Sequence, residues 1–190
     1  METVSEIDER DLALRCAKGD SEAQRELYRR YATRLNTLCS RYSRGSEEGM
    51  DLMHDTMIKA LRGIGRYRYS GEGSLYAWLA RMAINLSIDR FRKEGRFEIT
   101  DLREDIPEEN PPDTDAIRSV PLSVLQKMIS GLPDTKRLVF NMFCIDGFSH
   151  KEIAERLGIT EKSSSSTLAK AKKILMTKIN EYGRLDTDIK

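Results

Sequence analysis

Apolar residues along this 190-residue chain recur at intervals of three and four, and they alternate with period two nowhere for long. Val is scarce. That is the periodicity of helices, so the pattern predicts an all-α protein. One stretch breaks the rhythm. Residues 95–118 hold eight acids against three bases, with Pro107, Pro111 and Pro112 among them. Such a segment buries too little apolar surface to offset the entropy of ordering it. The expected organisation is therefore two small helical domains, residues 1–94 and 120–190, joined by a flexible acidic linker at 95–119. A long functional loop inside one domain is the alternative, and loops of that length are uncommon.

The first domain reads as four helices. One runs from about Ile7 to Lys18 and stops at Gly19. The second opens with Ser21 and Gln24 in capping-box spacing, and its core line is Leu27, Tyr31, Leu35, Leu38 and Tyr42. The third spans about Glu47 to Arg62, with Met50, Met53, Met57 and Leu61 as its expected buried stripe. Asp51, Asp55, Lys59 and Arg62 line the opposite face, with Leu52 among them and Ile58 at the edge. A solvated face with an Asp55–Lys59 pair explains the charges. An outward Leu52 ringed by carboxylates is what a docking surface looks like.

Four glycines punctuate the loop before the fourth helix, about Ser74 to Arg92. That helix carries two apolar stripes. Leu75, Leu79, Met82 and Leu86 form one, with Trp78 beside it, and Ile84, Ile88 and Phe91 form the other. Between them runs a narrow polar strip: Arg81, Asn85, Asp89 and Arg92. Asn and Arg can each bond bidentately to base edges or phosphates. The basic end at Arg90, Lys93 and Arg96 is also what the helix dipole favours.

In the second domain, helices are expected over about Val120 to Ile129 and Asp134 to Ile145. A helix-turn-helix follows. Ser149 and Glu152 form a capping box, Ile153, Ala154 and Leu157 face inward, Gly158 permits a tight turn, and Thr160 caps the next helix. Ala154 lets the two helices approach and Ile159 plugs the gap between them. The last helix buries Leu168, Ala171, Leu175, Ile179 and Tyr182. Its opposite face shows Lys162, Ser166, Lys170 and Lys173. Five lysines and no acid lie between Glu161 and Glu181. A face of one sign on a recognition helix fits phosphate contact. The run Ser163 to Ser166 has a second reading, as low-complexity linker.

Composition narrows the function. Charged residues make up 33% of the chain, but 32 bases balance 31 acids, so a uniformly basic nucleic-acid coat is excluded and local patches are not. No apolar run approaches the roughly 20 residues that span a bilayer. The opening METVSEIDERD is too acidic for a secretory signal. Three widely spaced cysteines, Cys16, Cys39 and Cys144, read as reduced thiols of a cytoplasmic protein. His54 and His150 sit in no metal-ligand spacing. No nucleophile triad, phosphate loop or paired-acid motif appears, so no catalytic residue, metal or cofactor is expected.

Four segments taken in order carry a resemblance: AKGDSEAQRELYRRY, DLMHDTMIKAL, SGEGSLYAWLARMAINLSIDRFRK and GLPDTKRLVFNMFCIDGFSHKEIAERLGIT. The chain resembles bacterial RNA polymerase sigma factors of the extracytoplasmic-function (ECF) group, from about Asp11 to Tyr182. The compact two-domain form, without extra N-terminal regions, fits that group. The resemblance implies a promoter-specificity subunit that binds core polymerase through its largest and second-largest subunits and helps melt promoter DNA. Asp51, Leu52, His54, Asp55 and Ile58 would grip the polymerase clamp. The loop at 67–73, with Tyr69, Ser70 and Gly71, would capture a flipped base. Asn85, Asp89, Arg92 and Lys93 would face the minus-ten element. Ser149, Lys162, Ser163, Ser165, Ser166, Thr167, Lys170 and Lys173 would serve the minus-thirty-five element. The resemblance further implies an anti-sigma factor, in many members membrane-anchored, and a monomer when free.

Two parts of the chain depart from the family pattern. In the third helix His54 stands where Gln is usual; in the recognition helix Ser164 and Ser165 stand where an apolar and then a basic residue are usual, and Thr167 stands where Arg or Gln is common. A free-standing helix-turn-helix regulator, with a sensor or dimerisation domain in front, is the rival reading from a different class. It predicts a ligand pocket or a homodimer.

Overall fold

The computed structural model describes residues 7–94 and 120–187, with side chains to 184; the expected linker at 95–119 lies outside the described residues. Every regular element among the described residues is helical. The chain divides into two compact units, Met1–Arg90 and Phe91–Lys190, the division falling inside the fourth helix.

The first unit comprises α1 (Glu9–Ala17), α2 (Ser21–Arg41), α3 (Ser46–Gly63), a short 3₁₀ turn (Ile64–Arg66) and α4 (Ser74–Lys93). Its core is drawn from every helix, with Leu12, Leu27, Leu35, Leu52, Leu75 and Leu79 all essentially buried. Asp20, not Ser21, caps α2. Its carboxylate accepts the N–H groups of Glu22 and Ala23 at 2.9 and 3.2 Å. Ser21 is the first helical residue, so the expected Ser21–Gln24 capping box does not form: with Asp20 as the cap, the third helical residue is Ala23, which has no polar side chain to return the bond. Arg15 closes on the same carboxylate at 2.7 Å, tying the end of α1 to the start of α2.

The structure also rotates α3 from its expected setting. The buried line is Gly49, Leu52, Met53, Thr56, Met57 and Ala60. Leu52 is 1% exposed, Leu61 half-buried, and Met50 46% exposed, so Leu52 and Met50 exchange their expected places. The cause is a close approach of α2. A Cβ on Gly49 would lie 2.9 Å from the Ser40 Cα, which only glycine avoids. That contact turns the small residues Gly49, Thr56 and Ala60 inward, and Thr56 hides its hydroxyl on the Leu52 carbonyl at 2.7 Å.

The second unit holds α5 (Leu122–Ser130), α6 (Asp134–Phe140), α7 (His150–Leu157) and α8 (Glu161–Thr187). The expected single helix from Asp134 to Ile145 is α6 continued by one π turn over Asn141–Ile145. The wider turn leaves Met142 buried and Phe143 only half-buried. Arg137, 3% exposed, donates to the carbonyls of Ser130 and Leu132 and pairs with Asp134 at 2.8 Å. A guanidinium can be buried there because it satisfies the loop carbonyls between α5 and α6.

Candidate polymerase and nucleic-acid surfaces

The outward face of α3 carries Asp51, His54, Asp55, Ile58 and Lys59, all exposed, with Met50 at its start. Leu52 does not reach this face; its place is core. The apolar members that solvent meets are Met50 and Ile58, the latter 50% exposed. Two of the polar members are held by neighbouring helices. The His54 ring stacks on Tyr28 of α2, its Nε2 3.4 Å from the tyrosine hydroxyl. Asp55 Oδ2 accepts from Arg90 Nη2 of α4 at 2.5 Å. The i,i+4 geometry suggested Lys59 as its partner. Instead α4 brings Arg90 within bonding distance of the carboxylate.

The loop at 67–73 is organised by a hydroxyl that sequence reading passed over. Ser74, the first residue of α4, donates to the Gly71 carbonyl at 2.6 Å. The Tyr67 hydroxyl must then donate to Ser74 Oγ, 2.5 Å away, and the Ser70 N–H reaches the same oxygen at 3.3 Å. Gly71 and Gly73 have φ of +116° and +81°, backbone that side-chain-bearing residues rarely adopt. Tyr67 also packs on Trp78, rings tilted at 5.7 Å. The result is a short cage with Tyr69 and Ser70 exposed on its outside and Gly71 half-exposed at its turn.

Both apolar stripes of α4 are largely buried: Leu75, Leu79, Ile84, Ile88 and Phe91 fully, Trp78, Met82 and Leu86 partly. Between them Arg81, Asn85, Asp89, Arg92 and Lys93 are all exposed. The expected polar window is present. At its other end, α4 receives a carboxylate from α1. Glu9 Oε2 accepts the Leu75 N–H at 3.1 Å, while Oε1 accepts the Tyr31 hydroxyl at 2.8 Å. Burial and the adjacent carboxylate push the Tyr31 hydroxyl well above its ordinary pKa. Glu9 is one of five acids among the first eleven residues, and nothing in the sequence singled it out.

The helix-turn-helix forms as its sequence predicts. Ser149 Oγ accepts the Glu152 N–H at 3.2 Å, and the Glu152 carboxylate accepts the Ser149 N–H at 2.8 Å. That exchange holds the Glu152 carboxyl below the usual range. Gly158 turns at φ +69°, and Thr160 Oγ1 accepts the Ser163 N–H at 3.0 Å. On α8, Leu168, Ala171, Leu175 and Ile179 are buried and Tyr182 half-buried. Lys162, Ser165 and Lys173 are exposed, and Ser166, Thr167 and Lys170 half-buried. Ser163 is half-buried, its hydroxyl engaged with Thr160, and the Ser149 hydroxyl is likewise spent on capping.

Ser164 is fully buried. It continues the α8 stripe one turn before Leu168, and its Oγ shares a hydrogen bond with His150 Nδ1 at 2.9 Å. His150 in turn stacks on Phe143, centroids 4.4 Å apart. A serine is tolerated at this inner position because the helix-turn-helix supplies it with a polar partner. Among the described residues no three His, Cys, Asp or Glu side chains come together as a metal site, and no helix is long and apolar enough to cross a membrane.

The segments that carry these surfaces match known families. Residues 27–97 match the Sigma-70 region 2 family and residues 122–175 match Sigma-70, region 4. The chain is 30% identical over 155 residues to the ECF RNA polymerase sigma factor SigM of Mycobacterium tuberculosis, covering 81% of this chain and 76% of that one. It is 28% identical to the RNA polymerase sigma factor YlaC of Bacillus subtilis, covering 84% and 95%. A sigma factor RpoE of Bartonella quintana, solved in complex with the anti-sigma factor NepR, shares the fold with a TM-score of 0.51 at 21% identity, over 83% of this chain and 96% of that one.

This chain therefore belongs to the sigma-70 family. Within it, the chain is an ECF sigma factor: a DNA-binding transcription initiation factor that directs core RNA polymerase to promoters. The free-standing regulator reading finds no support in these matches.

Proposed function

We propose a division of labour among the exposed surfaces. The α3 face of Asp51, His54, Asp55 and Ile58, extended by Met50, docks on the clamp of the largest polymerase subunit. Leu52 contributes from beneath, by fixing the helix that presents them. The cage at 67–73 receives a base leaving the duplex, and Asn85, Asp89, Arg92 and Lys93 meet the minus-ten element. Lys162, Ser165, Ser166, Thr167, Lys170 and Lys173 meet the minus-thirty-five element, while Ser149 and Ser163 act there mainly as caps.

The observation that carries this reading is the strip of four polar residues left open between two buried stripes on α4. Asn and Arg side chains recurring along one exposed strip can bond base edges and phosphates, which suits the window to nucleic acid. Extruding a base costs a few kcal/mol, so a shaped receiver beside the window fits the same task.

The near-neutral charge supports weak binding to free DNA, since counterion release scales with the phosphates neutralised. Specific binding then depends on the polymerase holding both units over one promoter. The chain works in the cytoplasm, where the polymerase is, as a monomer when free and without a catalytic step of its own. An anti-sigma factor is a further proposed partner, as one binds the Bartonella relative.

Run-off transcription with purified core polymerase across genomic fragments tests the reading. Promoter-specific transcripts above the core-only control are expected, and their loss when Asp51 and Asp55 are both replaced by Lys. Transcription unchanged by that double replacement rejects the docking assignment. Nanomolar specific binding of duplex promoter by the isolated chain rejects the dependence on polymerase.

A further inference from the structure

Helix α1 lies outside residues 27–97, the span matched to region 2, and the resemblance gives its side chains no role. One of them nevertheless reaches the first turn of α4, next to the proposed base-receiving cage. Glu9 bonds the Leu75 N–H through one carboxylate oxygen and the Tyr31 hydroxyl through the other. Leu75 directly follows Ser74, the hydroxyl around which Tyr67, Ser70 and Gly71 are arranged. The carboxylate also sits at the positive end of the α4 dipole and satisfies one of the N–H groups that a helix start leaves unpaired.

We propose that Glu9 is a positioning residue for promoter opening. Anchored on α2 through Tyr31, it fixes the first turn of α4 and so the presentation of Tyr69, Ser70 and Gly71. It acts without touching DNA, because both of its carboxylate oxygens are already engaged, by the Leu75 N–H and the Tyr31 hydroxyl. The inference rests on the assignment of the 67–73 cage to base capture. Its chemistry is directional: Glu9→Gln keeps an acceptor but loses the charge, Glu9→Ala loses both, and Tyr31→Phe cuts the anchor while leaving the carboxylate in place.

The test uses the full chain with core polymerase on a promoter recovered by run-off transcription. Three quantities are measured for each variant: affinity for core, rate of strand opening on duplex promoter by permanganate reactivity, and initiation from the same promoter with the minus-ten region pre-melted. Glu9→Ala is expected to slow duplex opening about tenfold, equivalent to ~1.4 kcal/mol of barrier. Glu9→Gln and Tyr31→Phe should fall between it and wild type. All three should keep core affinity within about twofold and initiate normally on the pre-melted template, the tenfold scale again setting what counts as a change. Duplex opening by Glu9→Ala at the wild-type rate overturns the proposal. So does an equal loss of core binding and of both templates, since that marks a general folding defect. Duplex opening left at the wild-type rate when Tyr69 and Ser70 are both replaced by Ala overturns the cage assignment itself, a distinct result.

Discussion

Asp55 of α3 and Arg90 of α4 meet in an ion pair of 2.5 Å, joining the face proposed to bind polymerase to the helix proposed to read the promoter. The aspartate remains 58% exposed, so the pair stays accessible while its geometry is fixed. Exposed pairs stabilise a fold by about 0.2–1 kcal/mol. Asp55→Ala and Arg90→Ala should therefore each lower unfolding stability by less than about 1 kcal/mol in urea titrations. Competition binding should separate them: Asp55→Ala loses more core affinity than Arg90→Ala, because only the carboxylate is proposed to reach the polymerase. Core affinity unaltered in both variants counts against the docking face.

The crossing of α2 and α3 at Ser40 and Gly49 leaves no room for a methyl group. Gly49→Ala gains helix propensity but forces its Cβ against backbone, which cannot rotate away. A net loss of about 1–3 kcal/mol is expected, the usual cost of overpacking. Thermal denaturation checks the sign: a higher melting temperature would mean that the helices slide apart freely.

Ser164 and His150 hold the two helices of the helix-turn-helix together from inside. Ser164→Ala should destabilise the second unit by about 1 kcal/mol, the net worth of one hydrogen bond. Equilibrium unfolding followed by a probe in the second unit measures it. An unchanged transition would show that the bond is idle.

Glu26 is held by Arg29 first and by Arg30, and its carboxyl falls from the ordinary 4.5 to about 2. A group depressed in the folded state stabilises above its unfolded pKa and loses that effect as pH falls through the folded one. The advantage of wild type over Glu26→Gln should be complete above about pH 4.5 and should shrink toward pH 2. Urea titrations at a series of acidic pH values test this. A difference that grows on acidification contradicts the assignment.

Cys16 and Cys39 are buried and Cys144 is exposed. Desolvation raises the Cys39 thiol to about 12, so its thiolate is scarce at neutral pH. Desolvation raises the Cys144 thiol too, so a thiol-specific chromophore should react in the native chain with Cys144 alone, more slowly than with a free thiol, and with all three residues only after denaturation. Rapid native labelling of Cys39 would show that the α2 core opens readily.

The helical class, the two domains and the helix-turn-helix were legible because each rests on local chemistry. The Ser149–Glu152 box, the turn at Gly158 and the cap at Thr160 involve residues a few positions apart, and a chain can specify them without knowing its neighbours. The α4 window was legible for the same reason, since two apolar stripes on one helix leave only one strip for polar side chains. The facing of α3 was not. Whether Met50 or Leu52 points inward differs by a fraction of a turn, and the tie is broken by Gly49 against Ser40 on another helix. The partners of Asp55, His54, Ser164 and Glu9 were hidden in the same way. Arg90, Tyr28, His150 and Leu75 stand 14 to 66 residues away in sequence. Local residue chemistry set what kind of surface each helix could offer. Tertiary packing decided which residues reached that surface and which of them it holds in place, because burial and hydrogen bonding are settled by neighbours that only the folded chain brings close.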